Sequence, residues 1–302
     1  METLTVFTPT YNRAHLLEQL YDSLVNQTSK DFLWLIIDDG STDNTRELVD
    51  GWINENLIHV QYHFQNNKGM VGAHNTAHYI MTTELCVCID SDDFMPENAV
   101  QRIIELWNQH GYEKSAGMVG LDSFKDGAIV GAKFPENVKE AKFTEITQKY
   151  KAHGDKKFVH NRKVFNKYLP YQFFEGEKFP ITSYLYLFIE QNHRWLLFNE
   201  VFSIIEYMPD GLSRNLFRQY LESPKSFCLY RKARMAYAYN YKNKFRNTIH
   251  YVSSSIMCKN WSLIRDTPSK FTVILAIPLG VVLFLYLKVS NRKTVLKKEY
   301  QK

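Results

Sequence analysis

The sequence predicts an α/β fold, with a mostly parallel central sheet flanked by helices, followed by a helical, basic C-terminal extension. Three observations predict it. Strand-length apolar runs alternate with stretches of helical periodicity through the first 109 residues. One run, FLWLIIDD (32–39), is almost continuously apolar, as expected of a strand covered on both faces. The charge also changes sign: residues 216–302 carry 17 Lys and Arg against 3 Asp and Glu, while residues 1–215 carry 20 against 29. A sign change of that size marks two regions with different partners, and we divide the chain at 1–215 and 216–302. With 302 residues, 45% of them apolar, the chain can build a proper core.

In chain order, LTVFTP (4–9) is a strand ended by Pro9, and AHLLEQLYDSLVNQ (14–27) has helical spacing. FLWLIIDD is the next strand, and TDNTRELVDGWINEN (42–56) a helix with a capping start. IHVQYHFQ (58–65) is a strand and GAHNTAHYIMTT (72–83) a helix. LCVCID (85–90) is a strand, followed by the helix PENAVQRIIELWNQ (96–109). In such sheets ligands bind beyond the carboxyl ends of the strands, and three of those ends carry polar clusters: TPTYNR, DDGSTDNT and DSDD.

Those clusters carry the chemistry. DSDD places Asp90, Asp92 and Asp93 within four residues after a buried strand. Carboxylates so close repel one another unless a cation joins them. Mg²⁺ and Mn²⁺ prefer oxygen donors and are typically held by one or two carboxylates plus substrate phosphates. If strand geometry continued, Asp90 and Asp92 would share a face. The bland alternative is a solvated turn capping the next helix. In DDGSTDNT a turn and a cap account for Gly40 to Asp43 but not for the pair Asp38 and Asp39 at a strand end. A carboxylate there can accept from a base N–H or a sugar hydroxyl.

The ordered set TPTYNR, DDGSTDNT, NNKGMVGAHN, DSDDFMP, GEKF and EYMPDGLSRN resembles the family 2 glycosyltransferases of the Rossmann-like GT-A fold, over roughly residues 3–215. The resemblance implies a nucleobase pocket lined by Thr8, Tyr11 and Asp39, with Pro9, Arg13 and Asp38 completing that donor-binding set. It implies Lys68, Gly69 and Asn75 beside the diphosphate, Asp90 facing the ribose and metal, Ser91 among the nucleotide-sugar-binding residues, and Asp92 as principal ligand of Mn²⁺ or Mg²⁺. Many relatives carry a Lys where Met70 stands. The family inverts configuration with a carboxylate base, for which Glu177, then Glu175, are the candidates. Relatives commonly place a further Glu where this chain has Thr182, whose hydroxyl cannot take up a proton. His160 and His193 read as structural.

Beyond residue 216, basic residues interleaved with aromatics suit nucleic acid or an anionic membrane surface. The uncharged run FTVILAIPLGVVLFLYL (271–287), with basic flanks, decides for the membrane over nucleic acid, either spanning or lying in the interface; a buried core helix is the alternative. Cys86, Cys88, Cys228 and Cys258 show no disulfide or zinc-ribbon spacing, and Cys86 and Cys88 fit as small core residues, so a reducing compartment is expected. METLTVFTPTYNR does not read as a signal peptide. The expected protein is a metal-dependent inverting transferase moving a sugar from a nucleotide-sugar, expected to be a UDP-sugar. Its acceptor would be a glycan or lipid-linked molecule at the cytoplasmic face of the membrane. The alternatives are a sugar-phosphate nucleotidyltransferase and a degenerate transferase that binds donor without turnover.

Overall fold

The computed structural model describes residues 2–177, 181–206 and 216–299. Two compact units emerge, one of residues 1–171 with 188–208 and one of 172–187 with 209–302. This differs from a single boundary at 215: residues 172–187, including Glu175 and Glu177, group with the C-terminal region. Most of the EYMPDGLSRN motif and the Lys-Phe of GEKF lie outside the described residues.

The first unit contains the sheet. Strands β1 (Leu4–Thr10), β2 (Phe32–Asp38), β3 (Val60–Phe64) and β4 (Leu85–Cys88) are parallel. Strands β5 (Gly117–Ser123), β6 (Glu140–Ala141), β7 (Lys156–Asn161) and β8 (Trp195–Ile204) complete eight strands in the order β3-β2-β1-β4-β7-β5-β8-β6. The sheet is mixed: β7 runs antiparallel to both β4 and β5, and β6 runs antiparallel to β8. All seven residues of β2 are buried, as its apolar run requires.

Period-two alternation sorts the strand side chains into two cores. Leu4 and Val6 of β1, Trp34 and Ile36 of β2, and Leu85 and Val87 of β4 face one core. There they meet helices α1 (Ala14–Val25), α2 (Thr45–Glu55) and α4 (Ala99–His110), whose buried residues recur at helical spacing. Phe7, Leu35, Ile37 and Cys86 face the other, against Ala73, Ala77 and Met81 of the region around α3 (Gly69–Ile80). Helices α5 (Phe143–Gln148) and α6 (Arg162–Phe165) are short, and α7 (Tyr184–Ile189) straddles the two units.

β4 ends at Cys88, two residues earlier than the sequence reading, so strand geometry does not continue through Asp90 and Asp92. The chain instead turns, and the Asp93 N–H donates to the Asp90 carbonyl at 3.0 Å. A turn, not a shared strand face, follows β4 at these two carboxylates.

The second unit contains α8 (Leu216–Glu222), α9 (Pro224–Ala236), α10 (Tyr241–Met257) and α11 (Lys270–Glu299). Met235, Tyr251, Val252, Val273 and Ala276 form its small core. Gly280 lets α11 approach α10, since a Cβ there would meet Val252 at 2.5 Å. Residues Lys270–Ser290 are long and apolar enough to cross a membrane, and only 28% of the most apolar window is buried. Phe271, Val282 and Tyr286 are exposed, which argues against the core-helix alternative.

Candidate functional site

The carboxyl ends of the parallel strands β1, β2, β3 and β4 are bound to one another by short-range hydrogen bonds. Asn12, with φ of 53°, organises the first two. Its N–H donates to Ser41 Oγ at 2.9 Å, and its Oδ1 accepts from the Thr42 N–H at 2.7 Å. Asn tolerates the left-handed conformation better than other side chains do. Asp43 then caps two helices at once: Oδ2 accepts from the Ala14 N–H at 3.1 Å and Oδ1 from the Thr45 N–H at 3.2 Å, with the Thr45 hydroxyl also donating to Oδ1 at 2.6 Å. Neither Asn12 nor Asp43 was named from the sequence as a site residue, although both sit inside quoted motifs.

The two consecutive aspartates at the end of β2 do different work. Asp38 has a partner on each oxygen, with Oδ1 accepting from the Ser41 N–H at 2.8 Å and Oδ2 from the Tyr62 hydroxyl at 2.6 Å. Burial and the Asp38 carboxylate push the Tyr62 phenol well above its ordinary range. Asp39 takes both of its donors, Gln65 Nε2 at 2.6 Å and the Lys68 N–H at 2.8 Å, on Oδ1. Thr76 Oγ1 donates to Gln65 Oε1 at 2.6 Å and fixes that amide. Asp39 is therefore held rigidly by one oxygen while Oδ2 keeps its capacity to accept.

Asp90, Ser91, Asp92 and Asp93 follow β4. Arg13 Nη1 reaches Asp92 Oδ2 at 3.1 Å and Ser91 Oγ at 3.4 Å, joining the first strand end to the fourth. Burial raises the Asp92 carboxyl above its usual value, only partly offset by the Arg13 guanidinium. Asp93 turns inward to Lys157 of β7 at 3.6 Å. Burial pushes Asp93 up to about 7, with Lys157 working against it, and pushes Asp122 of β5 up to about 6. Burial alone would weaken the Lys157 ammonium, but Asp122, Asp93 and Asp90 outweigh it and hold the charge firmly. Lys157 is thus the internal counter-charge of the acidic turn. No spacing pattern in the sequence links it to residues 64 positions earlier.

Some sequence-predicted residues have other work. Thr8 is fully buried and its Oγ1 accepts from Trp34 Nε1 at 3.0 Å, so its side chain faces the core and not a pocket. Asn75 clamps the backbone of Tyr171, donating from Nδ2 to its carbonyl at 2.9 Å and accepting from its N–H at 2.8 Å. Pro9 stays in β1, Tyr11 is exposed, and Lys68 and Gly69 open α3. A cavity of about 460 Å³ lined by Arg102, Leu106, Phe134 and Phe198 shares no residue with this cluster.

Within the second unit, Glu177 serves α9. Its Oε1 accepts from the Lys225 N–H at 2.8 Å, and its Oε2 from the Ser226 N–H at 2.7 Å and Ser226 Oγ at 2.6 Å. These are the donors a helix start leaves unsatisfied. Glu175 is exposed and has no hydrogen-bond partner among the described residues.

Residues 5–169 match the model of glycosyl transferase family 2. The chain belongs to that family. The glycosyltransferase GlyG of Streptococcus pneumoniae is 28% identical over 127 residues, 38% of this chain and 42% of that one. A chondroitin synthase of Escherichia coli is 34% identical over 102 residues, 34% of this chain and 15% of that one. The chain spans less than half the length of these curated relatives. Among solved structures, Staphylococcus aureus TarS 1–349 in complex with UDP superposes with a TM-score of 0.62 at 16% identity, covering 97% of this chain and 92% of that one. A mannosyltransferase from Pyrobaculum calidifontis in complex with GDP-Man and Mn²⁺ gives a TM-score of 0.56 at 16% identity, covering 99% and 82%. The fold of this family 2 glycosyltransferase is GT-A.

Proposed function

We propose that this glycosyltransferase is metal-dependent and inverting, and moves a sugar from a nucleotide-sugar, expected to be a UDP-sugar, to a glycan or lipid-linked acceptor. The observation that carries the reading is the acidic turn after β4, tied to the first strand end by Arg13 and balanced from within by Lys157. Neighbours of the same fold bind UDP in one case and GDP-Man with Mn²⁺ in another, which supports it.

The donor set fits a hard cation. Asp90 and Asp92 offer carboxylate oxygens, and Asp92 is one a nearby cation would help to ionise. Asp92 would be the principal ligand, with Asp90 beside it. When bound, Mn²⁺ or Mg²⁺ would stabilise the charge gained by a leaving diphosphate. Asp39 Oδ2 is assigned to the base N–H, with Pro9 and Tyr11 beside it. Arg13 positions Asp92, Ser91 supports that contact, and Lys68 with Gly69 lies on the phosphate side.

The acceptor hydroxyl needs a carboxylate base. Glu177 is committed to the start of α9, so we assign the base to Glu175. A second reading, donor binding without turnover, is favoured by that same capping role of Glu177 and by Thr182. The exposed apolar face of α11 and the basic residues around it support association with an anionic membrane, which we assign to its cytoplasmic face. At ~1.5 Å per residue the 21 residues of Lys270–Ser290 run to about 31 Å, close to a ~30 Å hydrocarbon core.

The test is a mass-spectrometric screen of nucleotide-sugars with Mn²⁺ against glycan and lipid-linked acceptors, with Asp92→Ala as control. Metal-dependent transfer of an inverted sugar, lost in Asp92→Ala, is expected. Full activity in excess chelator would remove the metal from the proposal, and donor binding without transfer to any acceptor would favour the second reading.

A further inference from the structure

α3 carries His74 and His78 one turn apart on its inner face, and β4 carries Cys86 and Cys88 on the face that meets it. β7 supplies His160, which stands directly opposite Cys86 across the antiparallel ladder. One ligating atom from each of His78, Cys86 and His160 lies within 4.8 Å of the other two, and all three side chains are buried. His78 is 3% exposed, and neither of its ring nitrogens has a hydrogen-bond partner. Buried polar groups are almost always satisfied, so a ring with two orphaned nitrogens facing a thiol and a second imidazole calls for something between them.

We propose that His78, Cys86 and His160 bind a soft d¹⁰ metal ion, zinc or cuprous, separate from the carboxylate turn after β4. Imidazole nitrogen and thiolate sulfur are the donors such ions select, whereas Mg²⁺ and Mn²⁺ select oxygen. Metal–ligand bonds of 2.0–2.3 Å put neighbouring donors roughly 3.5–4 Å apart, so the cluster needs to contract only slightly. Burial keeps the imidazoles neutral, the form that ligates: His78 is lowered to about 3 and His160 well below its ordinary value. Burial also pushes the Cys86 thiol up to about 12, a penalty that a bound cation reverses by taking the thiolate as ligand.

Charge separates the two ions. One thiolate and two neutral imidazoles balance a monovalent ion, but leave a divalent one with excess charge in an apolar layer. Cys88, whose Sγ lies 3.8 Å from His74 Nε2 and 3.7 Å from Asp90 Oδ1, stands outside the three-donor cluster, so the charge balance favours the cuprous ion. Either ion would pin α3, β4 and β7 together immediately behind the acidic turn.

The experiment uses the full chain, purified under reducing conditions without a polyhistidine tag, and counts metal per chain by plasma mass spectrometry. Zn²⁺ and Cu⁺ are offered separately against competing chelators. About one ion per chain is expected, falling below about a tenth in His78→Phe and in Cys86→Ala. Asp92→Ala and Cys228→Ala/Cys258→Ala should keep it. As a readout on the unaltered protein, Co²⁺ should give a thiolate-to-cobalt charge-transfer band that Zn²⁺ abolishes. Failure of the unaltered chain to take up either ion stoichiometrically, or equal uptake by both cluster variants, overturns the proposal.

Discussion

Replacing Glu177 by Gln separates a helix cap from a catalytic base. The structure gives the carboxylate three donors, two of them backbone N–H groups in the first turn of α9. Losing a side-chain cap costs about 0.5–2 kcal/mol, and removing a negative charge from a helix start adds about 0.3–1 kcal/mol. Gln keeps one acceptor oxygen but turns an NH₂ group toward donors, so about 1–2 kcal/mol is expected for Glu177→Gln and somewhat more for Glu177→Ala. At about 4–8 °C per kcal/mol for a unit of about 100 residues, Tm should fall by about 4–16 °C. Differential scanning calorimetry reads that shift, and steady-state transfer rates read the chemistry. If Glu177 only caps α9, kcat should change by less than about tenfold, because general-base assistance, typically 10²- to 10⁴-fold, is not removed. Ser226→Ala should lower Tm by about a third as much, and the pair should be non-additive because they share one contact. A kcat loss above about 10²-fold with unchanged Tm would refute the cap and return the base to Glu177.

Other expectations concern the strand ends, Glu175 and the buried histidines. Asn12→Ala should cost about 1–2 kcal/mol and raise the donor KM, measured by unfolding and by kinetics, because it frees the loop after β2 from the loop after β1. Arg13→Ala should raise the metal concentration for half-maximal transfer if Arg13 aligns Asp92, and an unchanged metal titration would remove that role. Glu175→Gln should lower kcat by about 10²- to 10⁴-fold with donor affinity retained; a loss below about threefold would clear Glu175. His74 and His78 are lowered by burial to about 4 and about 3, below the ~6.5 of an unfolded chain. The unfolded state therefore takes up protons first. Stability should be full above pH ~6.5 and decline by about 1.4 kcal/mol per unit per His as pH falls toward those values. His78→Phe should flatten that slope in urea titrations at pH 5 and 7.

Most of the parallel half of the sheet was legible because β1, β2 and β4 are buried on both faces and the helices carry one apolar stripe each, so residue type alone encodes them. The antiparallel β7 was not, because KKFVHN mixes charge and apolar residues without clean alternation: Lys157 enters the interior to meet Asp93 and Asp122. A local pattern cannot reveal a lysine whose reason for burial lies on two other strands. The motif clusters were legible as polar strand ends, but their division of labour was not. Asp38 and Asp39 are identical side chains in adjacent positions, and only the third dimension sends Tyr62 to one and Gln65 to the other. Thr8 and Asn75 mislead for the same reason, since each belongs to a motif yet points its polar atoms at Trp34 and at the Tyr171 backbone.

The acidic turn after β4 shows why clustered carboxylates need more than one kind of counter-charge. Asp93 is answered from inside by Lys157, a permanent partner that cannot leave without stranding a buried charge. Asp92 is answered by Arg13, at the surface end of the same turn, through a contact whose side chains remain 33% and 17% exposed. Water reaches that second pair, so its net strength is modest and exchange is cheap. An inner lysine that stays and an outer arginine that can yield make the turn tolerable when empty of substrate and receptive when a cation and a diphosphate arrive together. Under the proposed mechanism, that asymmetry places the exchangeable charge on Asp92 and the fixed one on Asp93, although the two carboxylates are adjacent in the chain.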